Sequence, residues 1–297
     1  MNINRRNFIR TTVAGAAGIG TASLFAQNEI PDMVIVKNGS PAEMVRRAVE
    51  NIGGIERFVK KGQKVLIKPN IGWDRVPEQA ANTNPEAVAE MVKLCTNAGA
   101  DWVRVLDRTC NQARRCYRRS GIEEAAKGAG AEVRHIVDSR FKDVDIPGGE
   151  MIQSWPFYKD ALDADVLINM PIVKHHSISR VTLGFKNMMG ILGGDRGAIH
   201  RNFMTKIVDI NMAVKPTLTL IDAYRVLLRN GPSGGNLADV VTKKECIAAT
   251  DRVAADAYAI TLLDVDPNQM EYLKIAQDRG LGTMDLSKIK VKTINMT

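Results

Sequence analysis

The amino-acid sequence predicts an α/β protein built on a mostly parallel sheet with helices on both faces. Short β-branched runs recur along the chain, capped helical segments alternate with them, and one run after another stops at a polar residue. Strands alternating with helices imply parallel pairing, because each crossover helix returns the chain to the same end of the sheet. The polar residues that end such strands then collect along one rim, where ligands bind.

The first strand is expected at Met33–Lys37. Ser40, Pro41 and Glu43 open a helix, since a serine cap, an early proline and a glutamate three residues on suit its free amides. Gly53 and Gly54 end it. Lys64–Lys68 reads as a second strand, stopped by Pro69 and Asn70, and Asn84-Pro85-Glu86 opens a helix that ends at Ala98-Gly99. Trp102–Leu106 is the third strand, ending in Asp107. The arginine-dense Asn111–Arg119 precedes a second capping box at Ser120–Glu123, and Glu132–Val137 is a further strand. Residues 139–156 read as irregular and Tyr158–Leu162 as a short helix. Val166–Ile168 begins a buried strand, with helices expected over Val181–Ile191 and Asn202–Val214. Leu218–Ile221 is a strand ending in Asp222, Cys246–Ala249 is another, and Asp251 caps a helix to Leu263. Asn268–Gln277 is helical, and Ile289–Ile294 forms a last strand at an edge. No repeat or linker divides residues 30–297, which are expected to form a single domain.

Composition narrows the function classes. The 297 residues are 45% hydrophobic and 25% charged, ordinary for a globular protein and enough to bury a substantial core. The formal net charge is +8, or about +5 without Arg5, Arg6 and Arg10 of the leader. That surplus suits small anionic ligands. It does not suit nucleic acid, because aromatic residues make up only 5% and no reader motif is present.

Asn4-Arg5-Arg6-Asn7-Phe8-Ile9-Arg10, followed by the Gly- and Ala-rich run from Val13 to Phe25, has the form of a twin-arginine export signal. The run is shorter than the ~20 apolar residues of a membrane span. Residues 1–26 are expected to be a signal peptide, cleaved after Ala26 or retained as an anchor because Leu24 is bulky near the cut. The expected location is periplasmic or extracytoplasmic, and the export partner is the twin-arginine translocase. Cys95 and Cys246 read as core thiols. Cys110 and Cys116 would face apart on a helix, so they pair or share a metal only if their segment is a loop.

The chemistry concentrates between Asp165 and Arg201. This stretch holds three of the four histidines, His175, His176 and His200, with Lys174, Lys186, Asn187 and the turn Gly193-Gly194-Asp195-Arg196-Gly197. Lys174, Lys186, His176 and His200 are the candidate catalytic groups, since a buried lysine or a histidine exchanges its proton near neutral pH. Lys68, Asn70, Asn187, Gly193, Gly194 and Arg196 are candidates for binding an anion, the glycines through backbone amides. His175 and His200 with Asp107 and Asp222 would suit a divalent metal, although no fixed-spacing metal motif is present. His175 and His176 are adjacent and diverge on regular structure, so at most one faces a given ligand. Arg114, Arg115, Arg118 and Arg119 would repel on a helix unless Glu123 and Glu124, or an anion, neutralise them.

LIKPNIGWD at 66–74, NPE at 84–86, LINMPIVKHH at 167–176, TLGFKNMMG at 182–190, His200, NGPSGG at 230–235 and ATDRVAADA at 249–257 resemble the family catalogued as domain of unknown function 362. The resemblance runs from about residue 33 to 264 and implies no established activity. Many members carry ferredoxin-type cysteine runs, which this chain lacks, so an iron–sulfur cluster is not carried over. The succession from Lys186 to His200 is also similar to nickel-pincer lactate racemases, which implies a small acid as substrate class. The expectation is an exported enzyme acting on a small carboxylate or phosphate in a metal-dependent or redox reaction. Two other readings stay open, as does a homo-oligomer: a non-catalytic ligand-binding or accessory protein of an exported redox complex, and a racemase or isomerase.

Overall fold

The computed structural model describes residues 29–297, so the expected signal peptide at 1–26 lies outside the described residues. Among the described residues no helix is long and apolar enough to cross a membrane.

In chain order the strands are β1 (Met33–Lys37), β2 (Lys64–Pro69), β3 (Trp102–Val105), β4 (Glu132–Val133), β5 (Phe141–Asp145), β6 (Ser154–Tyr158), β7 (Val166–Met170), β8 (Ile172–His176), β9 (Arg180–Thr182), β10 (Leu218–Leu227), β11 (Val240–Ala249) and β12 (Val291–Asn295). The α-helices are α1 (Pro41–Asn51), α2 (Pro85–Asn97), α3 (Ala113–Arg119), α4 (Ile122–Gly128), α5 (Lys159–Asp163), α6 (Gly184–Asn187), α7 (Phe203–Ala213), α8 (Arg252–Thr261) and α9 (Glu271–Asp278). The main sheet runs β12-β1-β11-β10-β7-β2-β3-β4, with β8 continuing beside β10 and β9 beside β8. Pairing is parallel from β10 through β7, β2 and β3 to β4, while β11 runs antiparallel to both of its neighbours. The fold is thus α/β with a mostly parallel sheet.

Apolar side chains from the two sides of each strand feed two cores. One face carries α1 to α4, with Met44, Val88, Tyr117 and Ile122 against Val65, Ile67 and Ile168. The other carries α7, α8 and α9, with Ile207, Ile260 and Leu273 against Leu66, Leu167 and Ile221. The predicted caps form where helices begin after strands. Ser40 Oγ accepts from the Glu43 amide while the Glu43 carboxylate accepts from the Ser40 amide. Asn84 Oδ1 accepts from the Glu86 amide at the start of α2, and Asp251 Oδ1 from the Val253 and Ala254 amides at the start of α8.

Four local expectations are corrected. Residues 139–156 are irregular only over 146–153, because β5 and β6 on either side form an antiparallel hairpin; the exposed charges of β5 hide its period. The helix expected over Val181–Ile191 starts late. Arg180–Thr182 pairs with β8, and only from Gly184 does the chain coil, as α6 and then a 3-10 turn at Met188–Ile191. The strand expected to stop at Ile221 continues to Leu227, drawn on by antiparallel β11 with a register shift between Ala223 and Arg225. The second capping box does not form: Ser120 closes α3, and Gly121, at φ 73°, turns the chain into α4.

Candidate functional site

Beyond the carboxyl ends of β2, β3 and β7 the chain encloses a cleft of ≈ 230 Å³. Lys68 and Asn70 reach it from the end of β2, Asp107 from the end of β3, and Lys174 and His176 from β8. Lys186, Asn187 and Gly190 come from α6 and the turn after it, and Arg196 and His200 from the 3-10 turn Arg196–His200. Strand parity explains the selection on β8. Residues two apart share a face, so Lys174 and His176 face the cleft together and His175 does not.

A chain of polar contacts crosses its floor. Lys68 is fully buried and its ammonium meets three acceptors, Asp107 Oδ1 at 2.8 Å, Asn187 Oδ1 at 2.8 Å and the Pro69 carbonyl at 2.6 Å. Burial pulls its proton affinity down and the Asp107 carboxylate opposes that pull. Asn187 Oδ1 also accepts from Asn70 Nδ2, and Asn187 Nδ2 donates to Asn169 Oδ1 and the Lys68 carbonyl. Asn70 is thereby turned so that its Oδ1 accepts from Lys174 Nζ at 3.0 Å. Gly190 makes the crossing possible, because a Cβ there would lie 1.7 Å from Asp107 Oδ1 and 2.6 Å from Lys68 Nζ.

The other two lysines have no carboxylate partner among the described residues. Lys174 is fully buried and donates to Asn70 Oδ1 and the Ala81 carbonyl; burial pushes its pKa down to about 7. Lys186 Nζ lies 2.9 Å from His200 Nε2 and 4.8 Å from the centre of the Phe203 ring, and burial likewise pushes it down to about 7. His176 and His200 stack with centroids 5.6 Å apart, and His200 stacks in turn on Phe203 at 5.9 Å. His176 Nδ1 accepts from the Ile178 and Ser179 amides, which leaves the proton on Nε2. Burial, with Lys186 and His200 adding to it, pushes His176 down to about 2, and burial followed by Lys186 lowers His200. Arg196 spans the rim, donating to the carbonyls of Arg108 and Thr109.

Several expected site residues stand elsewhere. His175 Nδ1 accepts from the Gly231 amide and ties β8 to the loop at 230–235. Asp222 is buried beneath the start of α2, accepting from the Asn84 and Tyr224 amides, and burial pushes it up to about 6. Neither lines the cleft. Gly193 and Gly194 do not line the cleft. Gly193 donates to the Pro156 carbonyl and packs on Phe141, and the Gly194 carbonyl accepts from Arg108, so the turn docks on the β5–β6 hairpin. The divalent-metal set of His175, His200, Asp107 and Asp222 therefore does not assemble. Asp107 Oδ1 is engaged by Lys68, and the Nδ1 lone pair of His176 is taken by two backbone amides. Among the described residues no three His, Cys, Asp or Glu side chains are grouped to hold a metal ion. The residues present do not fit a side-chain-held divalent ion.

Other lining groups escaped sequence reasoning: Trp73, Arg108, Cys110 and Thr182. Thr182 stands opposite Lys174 in the β8–β9 pair, a position visible only once β9 is recognised as a strand. Cys110 is exposed and Cys116 is buried in α3, and neither is bonded to the other. The arginine segment is helical after all, and Asp74 neutralises it rather than Glu123 or Glu124: Arg115 is 2.6 Å and Arg119 3.7 Å from the Asp74 carboxylate. That segment borders a wider depression of ≈ 680 Å³ outside the helices, where acids and arginines alternate.

Fold and cleft define a class: a parallel α/β protein with a cation-lined pocket at the carboxyl edge of its sheet. More narrowly, the chain belongs to the family described as Domain of unknown function (DUF362), which matches residues 65–261. It is 27% identical over 253 residues to a thylakoid-associated protein of Synechocystis sp., covering 82% of this chain and 76% of that one. Among solved structures, the lactate racemase apoprotein from Thermoanaerobacterium thermosaccharolyticum is 14% identical, with a TM-score of 0.47, covering 79% of this chain and 57% of that one. A Thermotoga maritima protein is 10% identical with a TM-score of 0.38, covering 80% of this chain and 58% of that one. The chain thus spans little more than half the length of these two structures.

Proposed function

We propose that the cleft binds a small carboxylate or phosphate anion and that the protein is an enzyme moving a proton on that molecule. One observation carries this reading. Lys186, Arg108 and Arg196 line a pocket whose one carboxylate, Asp107, is already taken by Lys68. Unbalanced, partly buried cations favour an anion, whose charge offsets the cost of keeping them from water. Lys186 with His200 is the acid–base pair. A lysine that titrates near 7 holds and releases its proton at the pH where general catalysis is most effective. Arg108 and Arg196 hold the anionic end.

The test is a panel of small carboxylates and phosphates in deuterium oxide, followed by proton NMR. Wild-type protein is expected to exchange a carbon-bound hydrogen beside the anionic group of one panel member, and Lys186→Met to lose the exchange. Binding by calorimetry without any exchange supports a non-catalytic carrier instead. Absence of both sinks the proposal.

A racemase or isomerase is a second reading, favoured by the 2.9 Å contact between Lys186 and His200, the two residues that carry the sequence similarity to lactate racemases. In it the deuterium enters with loss of configuration. Export to the periplasm through Arg5 and Arg6 is likewise proposed, and cell fractionation of an Arg5→Lys, Arg6→Lys variant checks it. Retained export in that variant sinks it.

A further inference from the structure

We propose that Lys174 is an imine-forming residue, whose amine condenses with a small anionic carbonyl compound held in the cleft. This rests on the anion-binding reading above and names the kind of anion and the atom it meets.

An ammonium has three N–H bonds to place; Lys68 donates to Asn187 and Pro69 and meets the Asp107 carboxylate at 2.8 Å in an ion pair. Lys174 places two, on Asn70 Oδ1 and the Ala81 carbonyl, both uncharged. It is fully buried, and no third acceptor or ion pair meets it among the described residues. Two donated bonds and one open position are what a neutral amine requires, the open position being its lone pair. Asn70 cannot turn to offer an N–H there, because its own Nδ2 is committed to Asn187 Oδ1, which Lys68 holds in place. The Lys68–Asp107 pair thus acts through two asparagines to orient a nucleophile.

A second, independent observation points to a ligand. Thr182 lies directly opposite Lys174 in the antiparallel β8–β9 pair, where side chains share a face. Its residue is 3% exposed, its Oγ1 has no hydrogen-bond partner among the described residues, and it lines the same cleft. A buried hydroxyl left without a partner costs free energy that a ligand oxygen removes. A carbonyl oxygen attacked by Lys174 would be such an atom.

The chemistry balances without an oxidant or reductant. The Lys174 nitrogen bonds to the carbonyl carbon, and the π pair passes to oxygen, which takes one of the amine hydrogens with Thr182 bonded to it. The carbon–oxygen bond then breaks, water leaves with the second amine hydrogen, and the C=N bond forms. Arg108 and Arg196 receive the anionic group.

Glyoxylate, the smallest anionic aldehyde, is the probe. Full-length protein is treated with glyoxylate and cyanoborohydride, which reduces an imine to a stable amine, and the modified lysine is located by peptide mass mapping. Lys174 is expected to be modified at least about tenfold faster than surface lysines, and malonate, which has no carbonyl to condense, is expected to slow it. Thr182→Val is expected to reduce that rate about tenfold. Modification confined to other lysines, or none at all, overturns the proposal, and the mapping on wild-type protein needs no variant to fold. Malonate calorimetry reports separately on the parent reading: anion bound without a Lys174 adduct sinks the imine alone, and neither bound nor modified sinks both.

Discussion

Lys186 and His200, fourteen residues apart in sequence, bring Nζ and Nε2 within 2.9 Å, with the Phe203 ring under both. The cation beside it is one reason, after burial, that His200 gives up its proton more easily than a free imidazole. Removing the cation reverses that part. His200 is therefore expected to titrate at higher pH in Lys186→Met than in the wild type, as followed by imidazole NMR. An unchanged midpoint would mean that the two side chains do not meet in solution.

Gly190 is expected to tolerate no side chain. Its Cβ would overlap Asp107 Oδ1 and Lys68 Nζ, so Gly190→Ala must separate a buried ion pair, at a cost of about 3 kcal/mol or more. Gly72, on the same cleft, has its nearest neighbour at 3.5 Å and serves as the control. Urea denaturation of the two variants, with Gly72→Ala close to wild type, checks the difference.

For Lys68 and Asp107 themselves, losing one partner is worse than losing both. Lys68→Met or Asp107→Leu alone leaves a buried charge and is expected to cost about 3–5 kcal/mol. The double variant leaves none, and is expected to be more stable than the sum of the singles predicts. Additive losses in a double-mutant cycle would refute the coupling.

The depressed proton affinity of Lys174 has a sign that stability measurements can read. Its pKa falls from 10.5 to about 7 on folding, so between those values the unfolded chain holds a proton that the native chain lacks. Stability from this group therefore rises with pH across that window, and the full penalty applies below about 7. Lys174→Met removes the penalty along with two hydrogen bonds. Its stability relative to wild type is expected to be most favourable near pH 6 and to decline toward pH 10. A difference that does not vary with pH would show that Lys174 is not held neutral.

Much of the cleft was legible because strands announce their ends. Lys68 with Asn70, and Asp107, each follow an apolar run that stops, and parallel pairing of β2 and β3 brings those ends together. Asp222 broke the rule because antiparallel β11 carried its strand onward, leaving the carboxyl mid-strand rather than at a rim. His175 and His176 could not be told apart until β8 was known to be a strand, after which their alternation assigns one to the cleft and one to Gly231. The glycine turn at 193–194 looked like an anion cradle because small residues suit both an anion and a packed ring. Phe141, more than fifty residues away, decided between them.

The chain alone determined the α/β class, the rim of strand-terminal polar groups and the membership of Lys174, Lys186, His176 and His200 in one region, since these follow from period and order. What each lysine meets was decided only by tertiary structure. Three lysines of identical chemistry differ in what surrounds the nitrogen: three acceptors for Lys68, two for Lys174, and an imidazole for Lys186. Those partners arrive from segments far apart in sequence, and a buried group's protonation depends on the solvent it loses and the acceptors it gains. Neither is written in a local pattern.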